Sequence, residues 1–486
     1  MKPEEQAQTV RFWPIMIAIF FGTFLAVLAN TTVNVAIPML MDHFQSPLSS
    51  IQWTMTGFML MTGTVAPLVG YLGDRFSYKK LYVTALVGFT LFSGLCAFAW
   101  DSSSLIVFRM LQGSFSGLVM PATMTIIYQV IPREKQPFAM SLWSLSAMLA
   151  PAVGPTLSGF LIDAFSWQWL FLMNVPIGVV AIVMVLWLVP YYKMNVPKSF
   201  DAFGLVTVVV GSLSLLIAFS EGHNWGWTSA RLLGLTGFGA IALLLFIRRQ
   251  LRSDQPLLQL RILRNTRYST SLLLSSIITV GLYAGSFLTP LFLQTIQQAT
   301  PLEAGLILLP SSMVMALMMP ITGKLYVKVG PFWLILAGVA LIALGTYEMG
   351  RLSVDVSHGY VMFWMSVRNI GVALSTMPSN NAGMMSVPRE LSGQASSINN
   401  WVRQVIASFS IGLFSSMLAS RTASHAGALA AAGTDGLPAV QLQSFTLGVN
   451  DVYMLATVIM ILCIPLVFLL RRNAAGTSAT GVRTNA

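Results

Sequence analysis

Fourteen mostly apolar runs of roughly 18 to 25 residues, spread between residues 12 and 471, constrain this chain more than any other feature. At 1.5 Å per residue, each is long enough as a helix to cross a hydrocarbon core of ~30 Å. Lipid offers no partner for backbone N–H and C=O groups, so only helices and closed barrels can span it, and runs this long read as helices. The implied fold class is an all-α polytopic membrane protein with 14 transmembrane helices. Composition agrees: 55% of residues are hydrophobic and 9% charged, against about 25% charged in soluble domains.

The net charge of +11 would raise the question of nucleic acid in a soluble protein. Here its placement answers the question. With the N-terminus inside, 21 of the 27 basic residues fall in cytoplasmic segments and only Arg231, Arg351 and Arg421 fall outside, while Arg109, Arg368 and Arg403 lie within runs. That split follows the positive-inside rule, puts both termini in the cytoplasm, and makes the charge topological. No nucleic-acid partner is expected; membrane lipids are.

Cys96 and Cys463 are solitary, and all four His map to outside loops, so neither a disulfide nor a metal framework is expected. A phosphate-binding G-x-x-x-x-G-K-[ST] loop is absent, and no run holds a His for a catalytic pair. The chain reads as a non-enzyme that uses no cofactor. Residues 1–11 form a short polar cytoplasmic segment, and the run after it is too long for a cleaved signal.

An internal echo organises the chain. Residues 67–75 read P-L-V-G-Y-L-G-D-R and residues 320–328 read P-I-T-G-K-L-Y-V-K, each at the end of a run, eight runs apart. That offset suits two six-helix halves (12–190 and 251–471) separated by two inserted helices (200–250), a 6+2+6 plan. Parallel repeats of this kind are a transporter design, with substrate held between the halves. The small, polar tail 472–486 is expected to be disordered.

Three motifs carry physical content. In 70–80, G-Y-L-G-D-R-F-S-Y-K-K, the glycines permit a tight turn and Asp74 can accept from a helix N-terminus or pair with a base. Gly70, Asp74, Arg75 and Lys79 are therefore candidates for a conformational latch. In R-M-L-Q-G-S-F-S-G (109–117), Arg109 and Gln112 place polar groups in a run, where a charge usually faces a cavity or a partner. In A-P-A-V-G-P-T-L-S-G (150–159), Pro151, Gly154, Pro155 and Gly159 make a bent, smooth helix for close packing.

These three motifs resemble, in order, the loop between helices 2 and 3, the fourth-helix motif and the fifth-helix antiporter signature of the major facilitator superfamily. Ser77 and Ser158 stand where the family usually has Gly. W-Q-W-L-F-L-M-N-V-P-I-G (167–178) and R-E-L-S-G-Q-A-S-S-I-N-N-W-V-R-Q (389–404) resemble the sixth and thirteenth helices of its fourteen-helix drug:proton antiporter branch, the EmrB/QacA type. The resemblance implies a secondary active exporter in the cell membrane. Such a protein moves lipophilic, amphipathic compounds against protons by alternating access, with a periplasmic adaptor as partner if the source has two membranes.

It further implies a cavity drawing on Ala29, Asn30, Asn34, Arg109, Gln112, Arg368 and Arg403. L-A-N-T-T-V-N-V-A-I-P (28–38) matches the branch motif of the first helix except that Ala29 occupies the position of its Asp. No acid lies near the middle of a run, so Asp163 and Glu348, near outer ends, are the candidate coupling acids. Two other readings stay open: a dedicated exporter of one anionic metabolite or lipid, and a coupling-defective form of an antiporter.

Overall fold

The computed structural model describes residues 12–191, 201–253, 256–431 and 437–479, some side chains within the helices excepted. Seventeen α-helices occur among the described residues. The first nine are α1 Phe12–Thr31, α2 Val33–Phe44, α3 Leu48–Val65, α4 Leu68–Phe76, α5 Tyr78–Ala97, α6 Ser102–Val130, α7 Gln136–Ala164, α8 Trp169–Leu172 and α9 Asn174–Leu188. Two more, α10 Ala202–Trp225 and α11 Ala230–Arg252, fall in the expected insertion. The last six are α12 Thr266–Thr295, α13 Pro301–Val329, α14 Pro331–Met349, α15 His358–Met384, α16 Ser392–Ala431 and α17 Leu437–Ala479.

Local chemistry sets several of these ends. Asp101 caps α6 by accepting from the Ser104 N–H at 2.7 Å, and the Ser104 hydroxyl meets the Asp101 N–H in return. That backbone bond holds the Asp101 carboxyl below the usual carboxylate range. Thr300 and Glu303 make the same reciprocal box at the start of α13. Pro132 and Pro388 each open a short 3-10 turn, Arg133–Lys135 and Arg389–Leu391, that leads into α7 and α16. This P-R-E pair is a second internal echo.

Eleven described helices are long and apolar enough to cross a membrane, and twelve if α3 and α4, bent by 59° from each other, form one span. The chain is thus an all-helical, multi-pass membrane protein. α7 and α15, of 29 and 27 residues, lie outside that count. The apolar stretch of α15 is interrupted by buried Arg368, Asn369, Asn380 and Asn381.

The helices outrun their apolar stretches in places. His43 lies in the last turn of α2, His223 near the end of α10, His358 opens α15 and His425 lies within α16, so all four are helical rather than in loops. α17 continues to Ala479, so the first part of the expected disordered tail is helical. Extending an existing helix through Ala474 and Ala475 needs no new nucleus, and Ala is the strongest helix former. Residues 480–486 and 1–11 lie outside the described residues.

Packing divides the chain into two compact units. One comprises residues 1–213, 241–260 and 387–401, the other residues 214–240, 261–386 and 402–486. The second is built on a cluster that includes Leu288, Phe292, Val361, Phe414 and Tyr453.

Candidate functional site: a latch, a seam and two buried arginines

In the first unit, Asp74 lies in helix α4, not in a loop as the sequence suggested, and is 7% exposed. The backbone stays helical from Leu68 to Phe76, and the turn is postponed to Ser77, at φ 86° and ψ 137°. The Asp74 carboxylate accepts from the Tyr78 hydroxyl at 3.0 Å and from Gln394 Nε2 at 3.0 Å. Tyr78 also donates to the Gly70 carbonyl at 3.2 Å. It lies so close to Gly73 and Gly393 that a Cβ on the first would overlap its ring and a Cβ on the second its hydroxyl. Only glycine on both sides lets α16 approach α4 with the tyrosine between them.

The other latch candidates separate. Arg75 is exposed and donates to the Tyr71 hydroxyl at 3.2 Å. Lys79 donates to the Leu186 carbonyl at 2.7 Å, closing the last turn of α9. Among the described residues, no base lies within ion-pair distance of Asp74. Sequence reasoning missed Tyr78 and Gln394, although both lie inside the segments that carried the family resemblance.

The antiporter segment packs α7 against α1. A Cβ on Gly154 would lie 2.4 Å from Thr31 Oγ1, so these helices meet backbone to side chain. Ser158 turns its hydroxyl back to the Gly154 carbonyl at 2.7 Å and so presents no polar group to its neighbour. Gly159 is buried. The side chains of Pro151, Pro155, Asn34 and Asp163 lie outside the described residues.

Arg109 is fully buried in the first unit. Its Nε donates to the Thr54 carbonyl at 3.1 Å, its Nη1 to Gln112 Oε1 at 2.8 Å, and its guanidinium lies 4.1 Å from the Phe58 ring centre. Ala29, 1% exposed, packs in a cluster with Phe58, Leu25 and Phe89. Phe58 thus belongs to the cluster of Ala29 and also lies against the buried Arg109 guanidinium. Among the described residues, Arg109 Nη2, Gln112 Nε2 and Asn30 Oδ1 are buried without a hydrogen-bond partner. Unpaired donors in a low-dielectric site are costly, and they suit a ligand that brings acceptors.

Arg368, on α15 in the second unit, is 1% exposed. Its Nη2 donates to the Gly281 carbonyl and, at 2.9 Å, to the Leu282 carbonyl of α12, and its Nη1 to Asn369 Oδ1 at 3.3 Å. Here the guanidinium staples two helices instead of lining an open cavity. Arg403, on α16, is half-buried. Glu348 accepts from the Tyr360 hydroxyl at 3.0 Å, beside a cleft of about 410 Å³ lined also by Arg351, Ser353 and Ser357.

The model of the Major Facilitator Superfamily matches residues 19–411. The chain belongs to that superfamily. It is 36% identical to the uncharacterized MFS-type transporter YhcA of Bacillus subtilis (strain 168), over 85% of this chain and 77% of that one. It is 27% identical to the multidrug transporter protein MdtP of the same organism, over 91% and 81%. The human organic anion transporter MFSD10 has the same fold, with a TM-score of 0.67 at 10% identity, over 93% of this chain and all of that one. Superfamily members are transporters and not enzymes, and this chain is one of them.

Proposed function

We propose that this transporter is a secondary active exporter of small amphipathic compounds, of multidrug type, working by alternating access against protons. It has fourteen spans in a 6+2+6 plan, with both termini in the cytoplasm and the cell membrane as its location. α7, of 29 residues, and α15, of 27, are the two further spans beyond the twelve. The observation that carries the reading is the close α1–α7 seam at Gly154, which matches the antiporter segment and sits on the helix of Ala29. At this seam the Thr31 and Ser158 hydroxyls are turned back onto carbonyls of their own helices, Leu28 and Gly154, so the packed faces offer ions little to bind while the two helices slide. Relatives named for multidrug transport support the substrate class.

Efflux from everted vesicles under an imposed proton gradient tests it. Gradient-dependent accumulation of lipophilic drugs is the expected result; accumulation that ignores the gradient would exclude proton coupling. The orphan donors of Arg109 and Gln112 favour a second reading, a dedicated exporter of an anionic compound. A panel of anions and cations in the same vesicles separates the two.

Ala29 leaves the Phe58 cluster without an acid, so coupling is expected to be weak. Ala29→Asp places a carboxyl in the apolar cluster whose Phe58 ring lies against the Arg109 guanidinium, where an intramembrane acid is a site for proton or cation exchange. The variant should gain pH-dependent transport of cations, read as proton uptake on adding a lipophilic cation. Full coupling in the parent and no change in the variant would reduce position 29 to packing.

A further inference from the structure

The two inserted helices, α10 and α11, end in a buried hydrogen-bonded chain that reaches the latch. Asp201, just before α10 and 6% exposed, accepts from the Gly204 N–H at 2.9 Å, Arg249 Nε at 2.7 Å and Gln250 Nε2 at 2.8 Å. Burial works against its ionisation, but the bonds from Gly204, Arg249 and Gln250 outweigh it and hold the carboxyl below its usual range. Gln250, 1% exposed, accepts through Oε1 from the Leu258 N–H at 3.2 Å. The next peptide N–H, that of Gln259, donates to Gln394 Oε1 at 3.3 Å. Gln394 Nε2 then meets Asp74. Leu257 and Leu258, 1% and 0% exposed, pin this stretch of linker in place.

The direction of the bonds matters. A glutamine amide has a donor end and an acceptor end, and which end faces a neighbour is set by the whole network. The ionised Asp201 compels Gln250 to point its NH2 inward and its oxygen at Leu258. The Gln259 N–H likewise compels Gln394 to give its oxygen to the linker and its NH2 to Asp74. Without the linker, Gln394 Oε1 loses the Gln259 N–H and the amide is held from the Asp74 side alone. The two amides thus carry orientation from one carboxylate to the other.

We propose that Asp201 and Gln250 are positioning residues for the latch, and that the inserted hairpin, through residues 256–260, holds Gln394 in the orientation that binds Asp74. The inference rests on reading Asp74 as a latch that opens during transport. It makes release of the linker part of that opening.

The test uses the full chain, whose only cysteines, Cys96 and Cys463, are buried. Ser397, one helical turn beyond Gln394, is fully buried with an unpartnered hydroxyl, so Ser397→Cys makes a reporter that a water-soluble maleimide reaches when the latch opens. In that background, Asp74→Asn, Gln394→Ala and Gln250→Leu should each speed alkylation on the order of threefold to tenfold, the scale of coupling between network neighbours. Gln250→Leu should lower kcat for efflux at unchanged KM, and should add nothing to Gln394→Ala. Asp201→Asn, which keeps the shape and removes the charge, should act in the same direction and stands in if Gln250→Leu does not fold. If Asp74→Asn and Gln394→Ala speed alkylation while Gln250→Leu and Asp201→Asn do not, the hairpin is uncoupled and the inference fails with the latch intact. If Asp74→Asn leaves alkylation unchanged, the latch reading itself falls.

Discussion

The two copies of the internal repeat end in the same turn and differ in chemistry. Ten residues after Pro67 the chain turns at Ser77 (φ 86°, ψ 137°), and ten after Pro320 it turns at Gly330 (φ 82°, ψ 163°). In each case one residue closes one helix and opens the next. The approach differs: α3 and α4 meet at a 59° bend, whereas α13 runs unbroken through Pro310 and Pro320. Seven residues after the repeat proline, the first copy has buried Asp74 and the second has Val327, 68% exposed. The first copy also has Gly73, on which the Tyr78 ring rests; the second has Tyr326 there. The turn belongs to the repeat, but the buried carboxylate with its Tyr78 and Gln394 bonds belongs to the first copy alone.

The largest expected effect follows from the difference. Asp74→Asn keeps the shape and loses two charge-assisted bonds, worth about 1.5–3 kcal/mol each when buried. Efflux should slow by about tenfold or more with substrate affinity intact. A lost affinity with unchanged conformational exchange would refute the latch. Next comes the shared turn. Gly330→Ala puts a side chain at a φ that favours glycine and should cost about 1–3 kcal/mol, read as a lower thermal midpoint in detergent. Ser77 already bears that strain, so Ser77→Gly should raise the midpoint by a smaller amount; a decrease would mean that the Ser77 side chain supports the turn. Smallest of all, Val327→Asn should leave efflux unchanged. A slowing like that of Asp74→Asn would make both copies latches and abolish the contrast.

The sequence made much of this legible. Long apolar runs located the helices, and the repeat located both turns, because each depends on chain-local pattern. Asp74 stood out because a carboxylate at the end of an apolar run needs a partner. The partner itself was out of reach: Gln394 lies 320 residues away, and no local pattern marks which amide will arrive. The part played by Arg368 was likewise hidden, since an arginine that binds backbone carbonyls and one that faces a cavity look the same in sequence. The span of α15 is among the fourteen runs, yet its buried asparagines and arginine lower its hydropathy below that of a free-standing span.

That last helix bears on how the protein is made. A central arginine costs about 2.5–3.5 kcal/mol on entry to the bilayer from the translocon, and α15 adds asparagines to the debt. The acceptors that offset it, the Gly281 and Leu282 carbonyls, sit on α12, which is synthesised earlier. α15 therefore enters the membrane against a docking site already in place, and chain order itself becomes part of what makes this helix insertable.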